Sequence, residues 1–287
     1  MLTYIEKYLL YLKKIRNYSD NTISSYNVEL IKYKDYLDKL NIDYRSVTKE
    51  NIWDYLKDLD GLYKSSSINH HLSTLRSFYE YLKEEEVINT NIFLLIRNPK
   101  KKKSLPNVLN YDEINKLLDF KELDNINDYR DRLIFEMLYS TGLRVSELSN
   151  IKLKDIDMKE KSIKVLGKGN KERYVYYSNH ASHALKEYLD IRNTKSEYLF
   201  INSKDERLSR QSIEDIVNKR IKKISLMHHI SPHTLRHTFA TDMLKNGADI
   251  RVVQELLGHK KLSTTEIYTH LSNEYLRSEY LKNMQRR

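Results

Sequence analysis

The sequence predicts a mainly α-helical protein with two domains, the second of which also contains a small antiparallel β-sheet. Apolar residues recur at helical spacing through most of the first hundred positions. Only 6 glycines and 3 prolines occur in 287 residues, so little of the chain is available for loops. Two alternating segments, 162–166 and 174–177, flank the sequence GKGNKER, and this pattern is typical of a β-hairpin.

Four amphipathic helices are predicted for the N-terminal part of the chain. The first covers MLTYIEKYLLYLKK, and the second covers 22–40 with Ser19 or Asn21 as its N-cap. A third, short helix follows Thr48, and a fourth is predicted over 65–84. Their apolar stripes are most simply interpreted as the core of a four-helix domain.

A basic segment with two prolines separates the predicted domains. The sequence RNPKKKKSLP has four consecutive lysines and no hydrophobic periodicity, which indicates a linker. We therefore predict an N-terminal domain at 1–96, a linker at 97–107 and a second domain at 108–287. A lysine run is usually just solvated, although between two basic domains it can also follow a phosphate backbone.

The second domain is predicted to be mostly helical around the hairpin. Asn110 is a plausible N-cap for a helix over YDEINKLLDF, and a buried helix over 131–139 is predicted to end at Gly142. Further helices are predicted at 210–224, after Pro232 and after Asp249.

Composition narrows the classes of function. Lysine and arginine total 50 against 40 acidic residues, and the resulting net charge of +10 favours a polyanionic partner, nucleic acid before membrane. The absence of cysteine excludes disulfides, thiolate metal sites and cysteine nucleophiles. No apolar run is long enough to span a bilayer, and the first residues lack the pattern of a signal peptide. We expect a cytoplasmic protein.

Two segments place a cationic side chain beside a glycine turn. In STGLRVSEL, Arg144 begins a helix directly after Gly142 and Leu143, where a helix N-terminus and a guanidinium can together bind an anion. In GKGNKER, Lys168 lies at the predicted hairpin tip, and the sequence does not match the P-loop pattern GxxxxGK[ST]. Taken alone, either residue is more often an ordinary exposed side chain.

Histidines accompany an arginine in SPHTLRHTFATDML. Pro232 can occupy the first position of a helix, which places His233 and Arg236 on one face at i and i+3. His233 and His237 have the spacing of a zinc pair. The glutamate of HExxH is absent and no third ligand is evident nearby, so we expect no metal site.

The segment GHKKLSTTEIYTH contains a further histidine and one of the 23 tyrosines. His259 follows a predicted glycine cap, and Tyr268 is predicted on the first turn of a helix capped within 263–265. A tyrosine in such a position usually packs its ring and leaves its hydroxyl in water. The ordered set Arg, Lys, His-x-x-Arg, His, Tyr nevertheless suits phosphoryl transfer to a tyrosine. That reaction needs an oxygen nucleophile, fixed positive donors and an acid for the leaving oxygen.

Together, TGLRVSEL and HTLRHTFATDMLKNGADIRVVQELLGHKKLSTTEIYTH resemble the two-part signature of the tyrosine recombinase (phage integrase) family. NYSDNTISSYNVELIKYKDYL and HHLSTLRSFYEYLKEE are similar to the family's N-terminal core-binding domain, and LPNVLNYDEINKLL to the start of its catalytic domain. We expect no further domain ahead of the helical one, and this layout is most similar to the Xer-type site-specific recombinases. The resemblance implies a core-binding domain of four helices and a catalytic domain that cleaves and rejoins DNA through a 3′-phosphotyrosyl intermediate.

The resemblance also implies which residues bind the scissile phosphate. Arg144 and Arg236 would clamp it, and His259 would donate to a non-bridging oxygen. Glu147, one turn past Arg144, resembles the family's acidic residue that orients the site. Candidates for contact with the DNA backbone are Lys100, Lys101, Lys102, Lys103, Lys171 and Arg173.

Proton transfer is assigned by the same resemblance. Tyr268 would be the nucleophile, Lys168 the general acid that protonates the 5′ oxygen, and His233 the general base that takes the tyrosyl proton. No cofactor or metal is implied, because the covalent bond conserves the phosphodiester energy.

The implied partners are a double-stranded DNA recombination site and further protomers. The family acts as a tetramer on two DNA sites, either as a homo-tetramer or with a paralogue, in the cytoplasm and associated with the nucleoid. Leu276, Tyr280 and Met284 recur at four-residue spacing near the C-terminus. By sequence alone this stripe favours packing within the chain, whereas the resemblance favours docking on a neighbouring protomer.

Several functions stay open at this point. Resolution of chromosome or plasmid dimers is the function implied by the Xer-type layout. The alternatives are an integrase or excisionase of a mobile element, an enzyme that only relaxes DNA, and a non-catalytic DNA-binding regulator.

Overall fold

A computed structural model describes residues 1–99, 108–167, 171–224, 230–258 and 271–284. The described chain is mainly helical with one three-stranded antiparallel sheet, which confirms the predicted fold class. It divides into two compact units, residues 1–104 and 105–287. Most of the predicted linker at 97–107 lies outside the described residues. No helix in the described ranges is long and apolar enough to cross a membrane.

Four helices and a short 3-10 turn make up the described part of the first unit. They are α1 Leu2–Lys14, α2 Asp20–Lys39, α3 Lys49–Leu59, α4 Ser65–Glu84 and the turn Ile92–Leu95. Ser19 caps α2 by accepting a hydrogen bond from the backbone nitrogen of Thr22 at 3.4 Å. Thr48 caps α3 in a capping box with Asn51. The four predicted helices are therefore confirmed, with α2 beginning two residues earlier than predicted.

Tyrosine rings supply much of the core of the first unit. Tyr33 and Tyr55 are buried with ring centroids 4.9 Å apart. The hydroxyl of Tyr55 lies 2.6 Å from Nε2 of His71, and Tyr79 donates to the carbonyl of Tyr44 at 2.9 Å. Burial lowers the pKa of His71 from 6.5 to about 4. Buried tyrosines with bonded hydroxyls are structural, which accounts for part of the high tyrosine content.

Helices also dominate the second unit. They are α5 Tyr111–Leu118, α6 Ile126–Thr141, α7 Val145–Ser149, α8 Asn179–Ile191, α9 Arg210–Lys223, α10 Pro232–Lys245, α11 Ile250–Leu257 and α12 Asn273–Asn283. Asn110 caps α5 in a capping box with Glu113, as predicted. Helix α6 begins five residues before the predicted start at Asp131, because Asn125 caps it in a box with Asp128. It ends at the left-handed Gly142, as predicted.

The predicted hairpin is present as two strands of a three-stranded sheet. After a 3-10 turn at Leu153–Asp155 come β1 Ile156–Asp157, β2 Ser162–Leu166 and β3 Glu172–Tyr176, in the order β1-β2-β3. In this register Ile163 faces Val175 and Val165 faces Arg173. Because side chains alternate along a strand, Arg173 shares the buried face with Val175.

One long helix, α8, was not predicted. Ser178 caps it by accepting a hydrogen bond from the backbone nitrogen of Ala181 at 3.2 Å. Its buried stripe is Ala181, Ala184, Leu185 and Tyr188. Two small alanines in this stripe weaken the hydrophobic periodicity, although the spacing is that of an amphipathic helix.

Helix α12 packs against the second unit of its own chain. Leu276, Tyr280 and Met284 are buried, and the hydroxyl of Tyr280 donates to the carbonyl of Ser140 at 3.0 Å. The hydroxyl of Tyr176 donates to the carbonyl of Asn273 at 2.7 Å. The C-terminal stripe is thus an intramolecular packing surface in this structure, which is the arrangement favoured by the sequence alone.

Candidate active site

A glycine turn after α6 positions the first cationic candidate. Gly142 has φ 61°, and a Cβ added there would lie 2.5 Å from Cδ1 of Phe239 and 2.9 Å from Cδ2 of Leu257. Glycine is therefore required both by the backbone and by the packing. The chain leaves this turn in extended conformation at Arg144, which is the N-cap of α7.

Arg144 is held by a carboxylate one turn into α7. Its backbone nitrogen donates to Oε2 of Glu147 and its Nη1 donates to Oε1, both at 2.9 Å. The side chain of Arg144 is 34% exposed. One edge of the guanidinium is fixed, while the side chain still reaches solvent.

Arg236, on α10, is buried and fixed by two backbone carbonyls. Nη1 donates to the carbonyl of Gly142 and Nη2 to the carbonyl of Leu257, both at 2.6 Å. These carbonyls lie at the C-terminal ends of α6 and α11, where the helix dipoles are negative. The buried guanidinium of Arg236 is therefore stabilised, and its orientation is fixed by contacts with three helices, α6, α10 and α11.

Like charges crowd around Arg236. Burial first, and then the positive charge of Arg144, lower its pKa from 12.5 to about 10, with Glu147 opposing and Arg173 adding to the fall. Arg236 remains protonated at neutral pH. Two guanidinium groups thus lie close enough to repel, which is the electrostatic condition that an anion such as a phosphate would relieve.

Glu147 links Arg144 to a second arginine. Nη1 and Nη2 of Arg173 donate to Oε1 and Oε2 of Glu147 at 3.0 and 2.9 Å. Burial raises the pKa of Glu147, but hydrogen bonds and charges from Arg173 and Arg144 outweigh it, so the pKa lies below 4.5. The carboxylate is ionised and shared between the two guanidinium groups.

Arg173 also bonds to the backbone at the end of α11. Its Nε donates to the carbonyl of Leu256 at 3.0 Å, and its side chain is only 10% exposed. The sequence suggested Arg173 as a contact for the DNA backbone, yet here its guanidinium is directed into the protein. The signal in the sequence was the alternation of β3, which puts Arg173 on the same face as Val175.

His233 lies one turn before Arg236 on α10, and Ser231 caps this helix. Partial burial, then the charges of Arg210 and Arg236 and the neighbouring His237, lower the pKa of His233, with Glu214 opposing. At neutral pH the ring is therefore mostly uncharged, which is the form that can accept a proton.

Other candidates lie outside the described residues: Lys100, Lys101, Lys102, Lys103, Lys168, His259 and Tyr268. The predicted helix with its cap within 263–265 also falls there. The chain next to Lys168 is described, since the nitrogen of Gly167 donates to the carbonyl of Lys171 at 2.8 Å. Lys171 itself is exposed. On the side of His259, Gly258 ends α11 in left-handed conformation with φ 64°, as predicted.

The described part of the site has the positive charge and the fixed donors with which a protein can bind an anion. Arg144 and Arg236 belong to two different helices. Arg144 is held by Glu147, which Arg173 also binds, and Arg236 is held by two backbone carbonyls. Among the residues described, no group of three His, Asp or Glu side chains is placed to hold a metal ion. Fixed guanidinium groups can stabilise the charge of a phosphoryl group in a transition state.

Known proteins are similar to this chain in sequence and in fold. Residues 107–274 match the model of the phage integrase family, and residues 5–86 match that of the phage integrase N-terminal SAM-like domain. Tyrosine recombinase XerC of Staphylococcus carnosus is 40% identical, with 96% of this chain and 95% of the relative covered.

Solved structures add two further similarities. The XerH site-specific recombinase bound to a palindromic difH substrate, in a post-cleavage complex, is 27% identical with a TM-score of 0.73, covering 96% of this chain and 82% of that chain. A lambda integrase tetramer bound to a Holliday junction has a TM-score of 0.75 at 21% identity, covering 93% of this chain and 79% of that chain. The second likeness concerns the fold alone.

Proposed function

The chain belongs to the phage integrase family of tyrosine recombinases, and from this premise we propose that it cleaves and rejoins DNA at a specific site through Tyr268. The observation that carries this proposal is the pair of guanidinium groups at Arg144 and Arg236. Both are fixed in place by the protein although they repel each other. Such an arrangement is costly unless a phosphate binds there.

In the proposed reaction, strand cleavage is an in-line displacement at the scissile phosphorus. The phenol oxygen of Tyr268 attacks the scissile phosphorus, the bond from phosphorus to the 5′ oxygen breaks, and a 3′-phosphotyrosyl bond forms. Arg144 and Arg236 neutralise the charge on the non-bridging oxygens, and His259 donates a further hydrogen bond. Rejoining is the reverse displacement by a 5′-hydroxyl of the partner strand.

Two proton transfers complete the step. His233 accepts the proton of the Tyr268 hydroxyl, a role supported by its lowered pKa. Lys168 gives a proton to the departing 5′ oxygen, so that a hydroxyl leaves. The reaction uses no cofactor, because the number of phosphodiester-type bonds is unchanged.

Recombination of two duplexes requires four strands to be exchanged. We propose a tetramer on two DNA sites, formed by this chain alone or with a paralogue, and acting in the cytoplasm on the nucleoid. Contacts to the DNA backbone are proposed for Lys100, Lys101, Lys102, Lys103 and Lys171. For the C-terminal tail to dock on a neighbouring protomer, α12 would have to leave its own chain and break the bond between Tyr280 and Ser140.

The similarity to XerC over nearly the whole chain supports resolution of chromosome or plasmid dimers as the cellular role. In this role the substrate is a circular DNA with two copies of one site, and the product is two separate circles.

A trapping experiment tests the chemistry. DNA that binds the protein is selected from a random pool, and the selected sequence is rebuilt as a nicked suicide duplex from which the cleaved end diffuses away. The wild type should form a covalent adduct, and Tyr268→Phe should bind the duplex without forming one. An adduct with Tyr268→Phe would refute the nucleophile assignment. Specific binding with no adduct in the wild type would indicate a regulator.

A plasmid assay separates recombination from relaxation. A supercoiled plasmid with two selected sites should yield two circles, and a plasmid without sites should stay supercoiled. Relaxation of both plasmids alike would contradict site-specific recombination and favour a topoisomerase.

A further inference from the structure

The guanidinium of Arg173 lies where three segments of the candidate active site meet. Its Nη1 and Nη2 donate hydrogen bonds to the carboxylate of Glu147, which also accepts a hydrogen bond from Nη1 of Arg144. Its Nε donates to the carbonyl of Leu256 near the end of α11. A single buried side chain thus bonds to elements that are far apart in the sequence.

Two glycines lie directly against this guanidinium. A Cβ added to Gly258 would be 3.1 Å from Cζ of Arg173, and a Cβ added to Gly167 would be 3.2 Å from its Nη1. Gly258 immediately precedes His259, and Gly167 immediately precedes Lys168. Contacts this short are tighter than most contacts of a real Cβ, so the guanidinium packs closely on the backbone at Gly167 and Gly258.

We propose that Arg173 is a positioning residue that sets the placement of Arg144 relative to the backbone at Gly167 and Gly258, and thereby the rate of DNA cleavage. This inference rests on the proposed function, since it concerns the same site. Arg173 acts through Glu147 and through the backbone at Gly167 and Gly258, and it does not touch DNA. The planar fork is essential, because three bonds in fixed directions join the segments.

Lysine cannot replace this fork, although it keeps the charge. Arg173→Lys retains one positive point charge and can still contact a phosphate, but it cannot bond Oε1, Oε2 and the Leu256 carbonyl together. Arg173→Met removes the charge as well. A residue that merely contacted the DNA backbone would therefore tolerate lysine and lose affinity with methionine.

The test separates DNA binding from the rate of cleavage. Full-length wild type, Arg173→Lys and Arg173→Met are saturated with the nicked suicide duplex, and the single-turnover rate constant for adduct formation is measured well below the melting temperature. Both variants should bind with wild-type Kd and salt dependence, and both should cleave about 10- to 100-fold more slowly. If a variant were only less stable, a smaller fraction of its molecules would form the adduct, but the rate constant of those molecules would equal that of the wild type.

A matched control is available in Arg220, another arginine of the second unit that bonds backbone carbonyls. Its side chain donates to the carbonyls of Leu117 and Asp119 and lies over the ring of Phe120. Arg220→Lys should lower the melting temperature and leave the cleavage rate constant at the wild-type value. Adding Glu147→Gln to Arg173→Lys should slow cleavage little further, because the two residues act as one unit.

The possible results distinguish the two proposals. If the wild type forms no adduct, the proposed function fails. If the wild type cleaves and Arg173→Lys cleaves at the same rate, positioning by Arg173 is wrong. The proposal is also wrong if Arg173→Met binds DNA more weakly and cleaves it at the wild-type rate. In that case the slope of log K against log salt should be reduced by about 1, and Arg173 would be a phosphate contact.

Discussion

Replacing Gly142 by alanine should destabilise the second unit and disturb Arg236 at the same time. The left-handed backbone at φ 61° costs an alanine about 1–2 kcal/mol. The new Cβ would also lie 2.5 Å from Cδ1 of Phe239, within a packed core. Overpacking of this kind costs about 1–3 kcal/mol, so the free energy of unfolding should fall by about 2–5 kcal/mol in total.

Gly247 provides the matched control for this substitution. It has φ 100°, also in the second unit, but an added Cβ would meet only Oδ1 of Asn283 at 3.8 Å. Gly247→Ala thus carries a backbone cost at least as large, because its φ lies beyond the left-handed region open to L residues, but it carries no collision. Both variants lose the same flexibility in the unfolded chain, so the difference between them is a lower bound on the packing cost.

Thermal unfolding followed by circular dichroism checks the stability difference. For a unit of this size, about 2–4 °C of melting temperature corresponds to 1 kcal/mol, so Gly142→Ala should melt below Gly247→Ala by up to about 12 °C. Because the Gly142 carbonyl accepts a hydrogen bond from Arg236, Gly142→Ala should also slow single-turnover cleavage, whereas Gly247→Ala should not. Equal melting temperatures and equal rates for the two variants would refute the reasoning.

The remaining predictions concern ionisation and a buried hydrogen bond. The pKa of Glu147 in the folded protein lies below 4.5, so its carboxylate stabilises the fold while it is ionised. In urea titrations the wild type should therefore be more stable than Glu147→Gln near pH 7, and this advantage should shrink as the pH falls below about 4.5. Tyr280→Phe leaves the buried carbonyl of Ser140 without this donor and should lower the free energy of unfolding by about 1–2 kcal/mol. Tyr275→Phe, on the exposed side of α12, should not change it measurably when both variants are compared by thermal unfolding. The folded pKa of His71 is lowered from 6.5 to about 4, so the unfolded chain binds the proton first. Stability should therefore fall as the pH drops from 6.5 towards 4, and His71→Gln should flatten that dependence in unfolding measured across the range.

Local signals in the sequence were sufficient for most of the fold. Caps at Ser19 and Asn110 and the glycine at Gly142 act within one helical turn, so their effect can be predicted without knowledge of the tertiary structure. The start of α6 was predicted too late because none of its first seven residues is buried, so the buried stripe begins only at Leu133. Helix α8 was missed because its buried stripe contains two alanines.

Long-range contacts within the site could not be predicted in this way. The sequence singled out Arg144 and Arg236 by motif, but it contains no local sign that Arg236 donates to the carbonyl of Gly142, 94 residues earlier. That bond depends on the packing of α10 against the end of α6. Arg173 illustrates the same limit, since a basic residue near a hairpin tip suggests DNA contact unless the strand alternation is followed through.

The balance of charges explains why so many hydrogen bonds fix the arginines of the candidate site. Three guanidinium groups, at Arg144, Arg173 and Arg236, surround a single buried carboxylate at Glu147. Without a phosphate, this network holds more positive than negative charge in a poorly solvated place, and the lowered pKa of Arg236 reflects that imbalance. Each cation is therefore tied to carbonyls or to Glu147 rather than left to find its own position. The bonds that oppose the repulsion in the free protein also fix the directions of these donors, so under the proposed function a phosphate would meet arginines that are already in place.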